Sequence, residues 1–193
     1  MVEPWLRGTL TENDVVQRGV LHALELARED ATRWCSGFTE EQLEERPFGL
    51  PSVGFQMRHI ARSLDRLLTY AEGRQLTEAQ LAALDSEMEP SGSREKLFAE
   101  FEGGLEAAMQ RIRAISPETH DRARWVGRGG LPSSVGGLLV HCADHAQRHV
   151  GQLVTTAKVV VGLRGDRPGD SWGDRASRRR TTGSRRNAED KRA

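Results

Sequence analysis

The fold of this 193-residue chain is decided by the stretch VGGLLVHCADHAQRHVGQL, residues 135–153. Its apolar residues recur every three or four positions, which is the period of an α-helix with one buried face. That face is formed by Val135, Leu138, Leu139, Cys142, Ala146, Val150 and Leu153. Pro132 and two serines stand just before the stretch and mark its start. The sequence therefore predicts a long amphipathic helix over residues 135–161.

Three other long segments carry the same helical period, at residues 12–35, 53–71 and 93–115. A shorter capped helix is predicted at residues 77–84. No segment alternates convincingly with period two, so no strands are expected. Four helices of about twenty residues joined by moderate loops are typical of a four-helix bundle. The predicted fold class is all-α.

Residue types at the helix ends and in one helix interior refine this prediction. Thr11 or Asn13 is a candidate cap for the first helix, and Ser52 for the second. Gly103 and Gly104 interrupt the fourth predicted helix, where paired glycines favour close approach of a neighbouring helix. The Gly127-Arg-Gly-Gly stretch is interpreted as a loop rather than an anion-binding turn.

The charge is unevenly distributed along the chain. The overall formal charge is zero, but ten of the 28 basic and five of the 28 acidic residues lie in residues 164–193. This leaves an acidic body, residues 1–163, which we interpret as one bundle domain. The Arg-rich remainder is too poor in apolar residues to offset its ordering entropy, and a disordered tail is predicted. With the body acidic and the tail lacking interleaved aromatics, nucleic-acid binding is not expected.

Several classes of protein are excluded by what the sequence lacks. No apolar run reaches the length of a membrane span, and the first residues do not resemble a secretory signal. Two cysteines, Cys35 and Cys142, form no disulfide framework, so we expect a cytoplasmic protein with Cys142 as a core residue. The residue after each first histidine of an HxxxH pair is Cys142 or Ala146, never the Glu of a zinc peptidase.

Histidines carry the strongest chemical signal. His141, His145 and His149 recur at every fourth residue of the last helix, so consecutive members share a face. Two imidazoles at this spacing can bind one metal ion. A single buried histidine is more often a hydrogen-bonded core residue, but three in register on an apolar stripe are costly to bury without partners.

A third metal ligand has to come from another helix, and His59 near the start of the second helix is the natural candidate. The remaining histidines, His22 and His120, are assigned to structural or solvent-exposed roles.

The chain resembles the DinB/YfiT-like superfamily. The resemblance covers roughly residues 5–161 and rests on VGFQMRHIA, residues 53–61, together with HCADHAQRHVGQ, residues 141–152. It implies a four-helix bundle holding a divalent metal with one histidine on the second helix and two on the last. By position these are His59, His145 and His149. His141 is then a partner of a ligand or a replacement for His149, and Gln152 is a further candidate partner.

The resemblance also implies a range of activities. Superfamily members include transferases and isomerases that use low-molecular-weight thiols, and metal-dependent hydrolases. Three neutral ligands leave a divalent ion with open positions for a thiol, water or small-molecule substrate. Zinc or nickel is expected first, with iron or manganese as alternatives. Arg58 and Arg148 flank the ligands as candidate contacts for a substrate anion, with solvated surface arginines as the alternative.

The main competing hypothesis is a metal-binding stress or sensor protein without catalysis. A homodimer is compatible with an exposed bundle face.

Overall fold

A computed structural model describes residues 2–90 and 92–165 of the chain. Six α-helices and one two-stranded sheet lie within these residues: α1 Val15–Cys35, α2 Glu40–Glu44, α3 Val53–Ala71, α4 Glu78–Asp85, α5 Arg94–Ala114, β1 Ala123–Val126, β2 Leu131–Ser134 and α6 Val135–Leu163. Short 3₁₀ turns occur at Pro4–Leu6, Pro47–Gly49 and Pro117–Thr119.

The four long helices form the predicted bundle. Helix α6 packs against α1 and α3, α3 also packs against α5, and α5 contacts α1, which closes the ring. The core lies inside this ring and includes Leu24, Leu64, Phe101 and Leu139, all almost fully buried. Burial of such side chains stabilises each by about 1.5–3 kcal/mol relative to exposure. The all-α bundle architecture is therefore confirmed.

Of the predicted helix N-caps, the one at the start of α3 is confirmed and the one at the start of α1 is wrong. Ser52 caps α3 as predicted, with its Oγ accepting a hydrogen bond from the Phe55 amide at 3.0 Å. The first helix, however, begins at Val15 and is capped by Asp14, whose Oδ1 accepts from the Val16 amide at 2.9 Å. The prediction of Thr11 or Asn13 as its cap is wrong, because residues 11–13 form a turn that precedes the helix.

The predicted close approach at the paired glycines is confirmed for Gly104. A Cβ at Gly104 would lie 2.6 Å from the Cβ of Ala61 on α3, whereas one at Gly103 would meet nothing within 4 Å. The absence of a side chain at Gly104 thus sets the distance between α3 and α5.

The expectation of no strands is wrong for residues 123–134. Strands β1 and β2 pair antiparallel, with Trp125 opposite Pro132, and the loop interpreted around Gly127 is their turn. Each strand has four residues, too few for an alternating pattern to be recognised, and Pro132 argues against a strand in the sequence. The predicted tail lies outside the described residues except for Arg164 and Gly165.

Candidate metal centre

Helices α3 and α6 bring three histidines together. One ligand atom from each of His59, His145 and His149 lies within 4.8 Å of the others. Their ring centroids are separated by 4.3 Å for His59 and His149, 5.0 Å for His59 and His145, and 4.5 Å for His145 and His149. Across the described residues, this is the one set of His, Cys, Asp and Glu compact enough to hold a metal ion.

Helix geometry explains the clustering. Residues four apart on α6 stand one turn above each other, so His145 and His149 project from the same side. Next to that side, Cys142, Ala146 and Val150 are buried and fix the rotation of α6. Ile60 does the same for α3, and the three histidines therefore sit half-buried at the edge of the core.

His59 is held by an acidic residue that the sequence analysis missed. Its Nδ1 lies 2.7 Å from Oε2 of Glu87, in the loop between α4 and α5, and Oε1 of Glu87 accepts from Arg66 at 2.6 Å. Burial raises the pKa of the Glu87 carboxyl, but hydrogen bonds from His59 and Arg66 outweigh it, so the net pKa lies below its usual value. An ionised Glu87 keeps the proton of His59 on Nδ1 and leaves Nε2 as the ligand atom.

His149 is oriented in the same way by an amide. Its Nδ1 lies 2.7 Å from Oε1 of the buried Gln56, and Nε2 of Gln56 donates to Oε1 of Gln152 at 3.1 Å. Gln56 was also missed, although it stands one turn before His59 on α3. Gln152 interacts with Gln56 and also with His149 itself. Its predicted role as a partner of a ligand stays a prediction.

His145 provides the test of whether the residues fit a metal. Its Nε2 is buried and has no hydrogen-bond partner among the described residues. Burial first, and then the neighbouring His149 and His59, lower the pKa of His145 to about 4. Burial, His59 and Arg148 likewise lower the pKa of His149 to about 4. Both rings are therefore neutral near pH 7, and neutral imidazoles are ligands for divalent transition metals.

His141 does not join this group. Its side chain is 46% exposed, and its Nδ1 lies 3.7 Å from Oδ2 of Asp144. Its ring centroid is 5.6 Å from that of His145. The compact set contains His149 and not His141, so the geometry does not favour the alternative in which His141 replaces His149.

The two arginines that flank the ligands in sequence lie in different environments. Arg58 is fully buried, donates to both carboxylate oxygens of Glu44 at 2.6 and 3.1 Å, and donates to the Glu87 carbonyl at 3.1 Å. Neither a substrate contact nor a solvated surface position fits Arg58, because its guanidinium anchors α2 and the Glu87 loop to α3. Arg148 is 56% exposed and donates to Oδ2 of Asp144 at 2.6 Å.

His22, His120 and Cys142 are not members of the three-histidine set. His22 is buried near the hydroxyl of Thr9, 3.3 Å away, and His120 lies 3.7 Å from Oδ1 of Asp14. Burial raises the pKa of Cys142 to about 12, which keeps the thiol protonated and agrees with its predicted core role.

Three imidazoles around one point offer three protein ligands to a metal ion. Structural zinc sites use four protein ligands, whereas catalytic sites use three and keep a position for water or substrate.

Among the described residues, none of the helices combines the length and apolar character required to cross a membrane.

Comparison with known proteins places the chain in a family. No curated protein matches it. A crystal structure of a conserved protein from Enterococcus faecalis superposes with a TM-score of 0.63 at 19% identity, covering 78% of this chain and 99% of that one. At that identity the likeness concerns the fold alone. The family model of the DinB superfamily matches residues 23–153, a span that contains all three histidines of the centre. This chain therefore belongs to the DinB superfamily.

Proposed function

We propose that this protein is a divalent-metal-dependent enzyme whose metal is held by His59, His145 and His149. The reaction is transfer of a low-molecular-weight thiol to a small electrophile, or hydrolysis of that electrophile. The observation that carries the proposal is the buried Nε2 of His145, which has no hydrogen-bond partner among the described residues and stands beside two other imidazoles. An unpaired buried nitrogen is costly, and a metal ion would satisfy it.

The chain's own residues supply the orientation that such a site requires. Glu87 and Gln56 accept hydrogen bonds at Nδ1 of His59 and His149, which leaves Nε2 of each for the metal. When bound, a zinc or nickel ion on three neutral ligands lowers the pKa of a coordinated thiol or water and so provides a nucleophile near neutral pH. Arg148, exposed one residue before His149, is our proposed contact for an anionic group of the substrate.

The first experiment measures metal content per chain in protein purified without a histidine tag. We expect about one zinc or nickel ion per wild-type chain after incubation, and loss of that ion in His59→Ala and His145→Ala. His141→Ala is the matched control, since it removes a histidine from the same helix one turn before His145. Wild-type protein that stays metal-free after incubation with zinc, nickel, iron(II) and manganese would disprove the proposal.

The second experiment separates catalysis from metal binding alone. Metal-loaded protein is mixed with glutathione or cysteine and a small electrophile such as 1-chloro-2,4-dinitrobenzene, and thiol consumption is followed. Faster consumption by wild type than by His145→Ala supports the transferase. Full metal loading without consumption or hydrolysis of any electrophile tested favours a non-catalytic metal-binding protein.

A further inference from the structure

A cavity of about 360 Å³ lies between the segment that precedes α3 and the second half of α6, and its lining includes Gln56, which hydrogen-bonds to His149. Leu50 and Pro51 form one wall, and Gly151 and Thr155 contribute to the other. This size is within the range of small-molecule sites. No residue in this cavity was singled out by the sequence except Arg148 and Gln152.

The cavity is connected to the centre by two amide side chains, those of Gln56 and Gln152. Gln56 lines it, and the same amide accepts the hydrogen bond from Nδ1 of His149 at 2.7 Å. Gln152 also lines the cavity and accepts from Gln56 at 3.1 Å. A molecule in the cavity would therefore contact the two amides that interact with His149.

The lining indicates what kind of molecule fits. Most of the surface is apolar, and none of the described residues that line it carries a carboxylate. The hydroxyls of Thr155 and Thr156 are already used, donating to the carbonyls of Gly151 and Pro51 at 2.9 and 3.3 Å. Arg148 is the one charged residue that the described part of the chain contributes to the lining, and a single bond to Asp144 leaves most of its five N–H donors available. An apolar body with one anionic group matches this arrangement.

A smaller cavity of about 260 Å³ between α3, α4 and α5 offers a contrast. Its charged residues neutralise each other or nearby groups: Arg62 donates to Glu100 and Arg66 to Glu87, both at 2.6 Å. Among the described residues it therefore presents no uncompensated cation.

We infer that the cavity beside His149 binds a small organic anion, a carboxylate on an apolar chain or ring, and that this anion is the electrophilic substrate of the centre. The second half of this inference rests on the proposed function. Binding of the anion itself does not, because it needs only Arg148 and the apolar walls.

The test uses one apolar body with three head groups: 4-phenylbutyrate, 4-phenylbutanol and 4-phenylbutylamine. Their dissociation constants are measured by ligand-observed NMR on the metal-free full-length protein. We expect the carboxylate to bind about 2- to 5-fold tighter than the alcohol, and the amine most weakly, as for an exposed ion pair. Arg148→Met is expected to remove the difference between carboxylate and alcohol while keeping an apolar side chain.

Two glycines of α6 form a matched pair for the cavity. A Cβ at Gly151 or at Gly162 would meet nothing within 4 Å, but only Gly151 lines the cavity. Gly151→Leu should fill the space and weaken binding of the carboxylate at least about tenfold, whereas Gly162→Leu should leave it unchanged. Equal binding of all three head groups, or unchanged binding in Gly151→Leu, would overturn the inference.

The link to the centre has its own measurement. Saturating 4-phenylbutyrate is expected to shift the imidazole resonances of His149 in wild type and not in Gly151→Leu, and the absence of a shift would overturn that link. Zinc titration of the same samples separates the two proposals. Zinc binding without binding of the carboxylate disproves the cavity alone. Carboxylate binding by a protein that takes up none of zinc, nickel, iron(II) and manganese disproves the proposed function and, with it, the role of the anion as substrate.

Discussion

Helix α3 has two long interfaces that differ in what they contribute. Against α5 the backbone of Gly104 packs on Ala61, and at the rim Arg62 pairs with Glu100 at 2.6 Å. Against α6 the same helix presents His59 and Gln56 to two more histidines, and the buried Nε2 of His145 has no hydrogen-bond partner among the described residues. The first interface is close-packed and ion-paired and contributes to stability. The second leaves this one nitrogen unpaired, which is the thermodynamic cost of a binding site.

The largest expected effect concerns the unpaired nitrogen at the α3–α6 interface. Zinc at 100 times its dissociation constant should stabilise the wild-type protein by about 2.7 kcal/mol. His145→Leu should lose this gain completely. Its metal-free form should be at least as stable as wild type, because an apolar side chain replaces a half-buried imidazole whose buried Nε2 has no partner among the described residues. Thermal denaturation with and without zinc measures both.

Retention of the zinc effect in His145→Leu would show that His145 is not a ligand. His141→Leu, one turn away, is the control and should keep the full gain.

A somewhat smaller effect is expected from the residue that orients His59. Glu87→Gln keeps the shape of the side chain but removes the charge that fixes the His59 proton, and zinc affinity should fall about 10- to 100-fold. Competition with a chromophoric chelator measures the dissociation constant.

Glu89→Gln, an exposed neighbour in the same loop, should bind zinc like wild type. Because Arg66 pairs with the other oxygen of Glu87, Arg66→Gln separates the two roles of that carboxylate. An equal loss of affinity in Arg66→Gln would mean that Glu87 acts by anchoring its loop rather than through His59.

The α3–α5 interface is tested with its two glycines. Gly104→Ala places a Cβ 2.6 Å from that of Ala61, so it should destabilise the protein by about 1–3 kcal/mol. Gly103→Ala has open space and should stabilise it by about 0.5–1 kcal/mol. Urea denaturation of both variants measures the difference. Equal stability of the two would contradict the tight packing, and unchanged zinc affinity in both would confirm that the interfaces are independent.

Two histidines at the α3–α6 interface give the metal-free protein a pH dependence. His145 and His149 have pKa values near 4 in the folded protein, against an ordinary value of 6.5. Between these values the unfolded chain binds more protons than the folded protein. The contribution of the two histidines to the free energy of unfolding is therefore fully present above about pH 6.5 and decreases as the pH falls toward 4. His145→Leu should show a shallower decrease in urea midpoint over this range. Identical slopes would mean that His145 is not buried in its neutral form.

Much of the fold could be predicted because it depends on local periodicity. The predicted helices at residues 53–71 and 93–115 agree with α3 and α5 within one residue at each end. The hairpin at residues 123–134 was missed because its short strands depend on pairing between β1 and β2, a contact that local periodicity does not report.

The site was predictable to the extent that it follows from helix geometry. His145 and His149 belong together because residues four apart share a helical face, and the resemblance to DinB/YfiT-like proteins supplied His59. Arg58 was misjudged because nothing local indicates that Glu44, from another helix, pairs with it in the core. Glu87 was missed for the same reason, since the loop between α4 and α5 has no period that reports a contact with α3.

The sequence by itself thus determined the helices, their buried faces and the four-residue spacing of His141, His145 and His149, because these depend on residues within a few positions of each other. Only the tertiary structure decided which three histidines converge, that Glu87 and Gln56 orient them, and that Arg58 is buried while Arg148 is exposed. These outcomes depend on how separate helices and loops pack, and hydrogen bonds between residues 28 to 96 positions apart leave no local pattern in the chain.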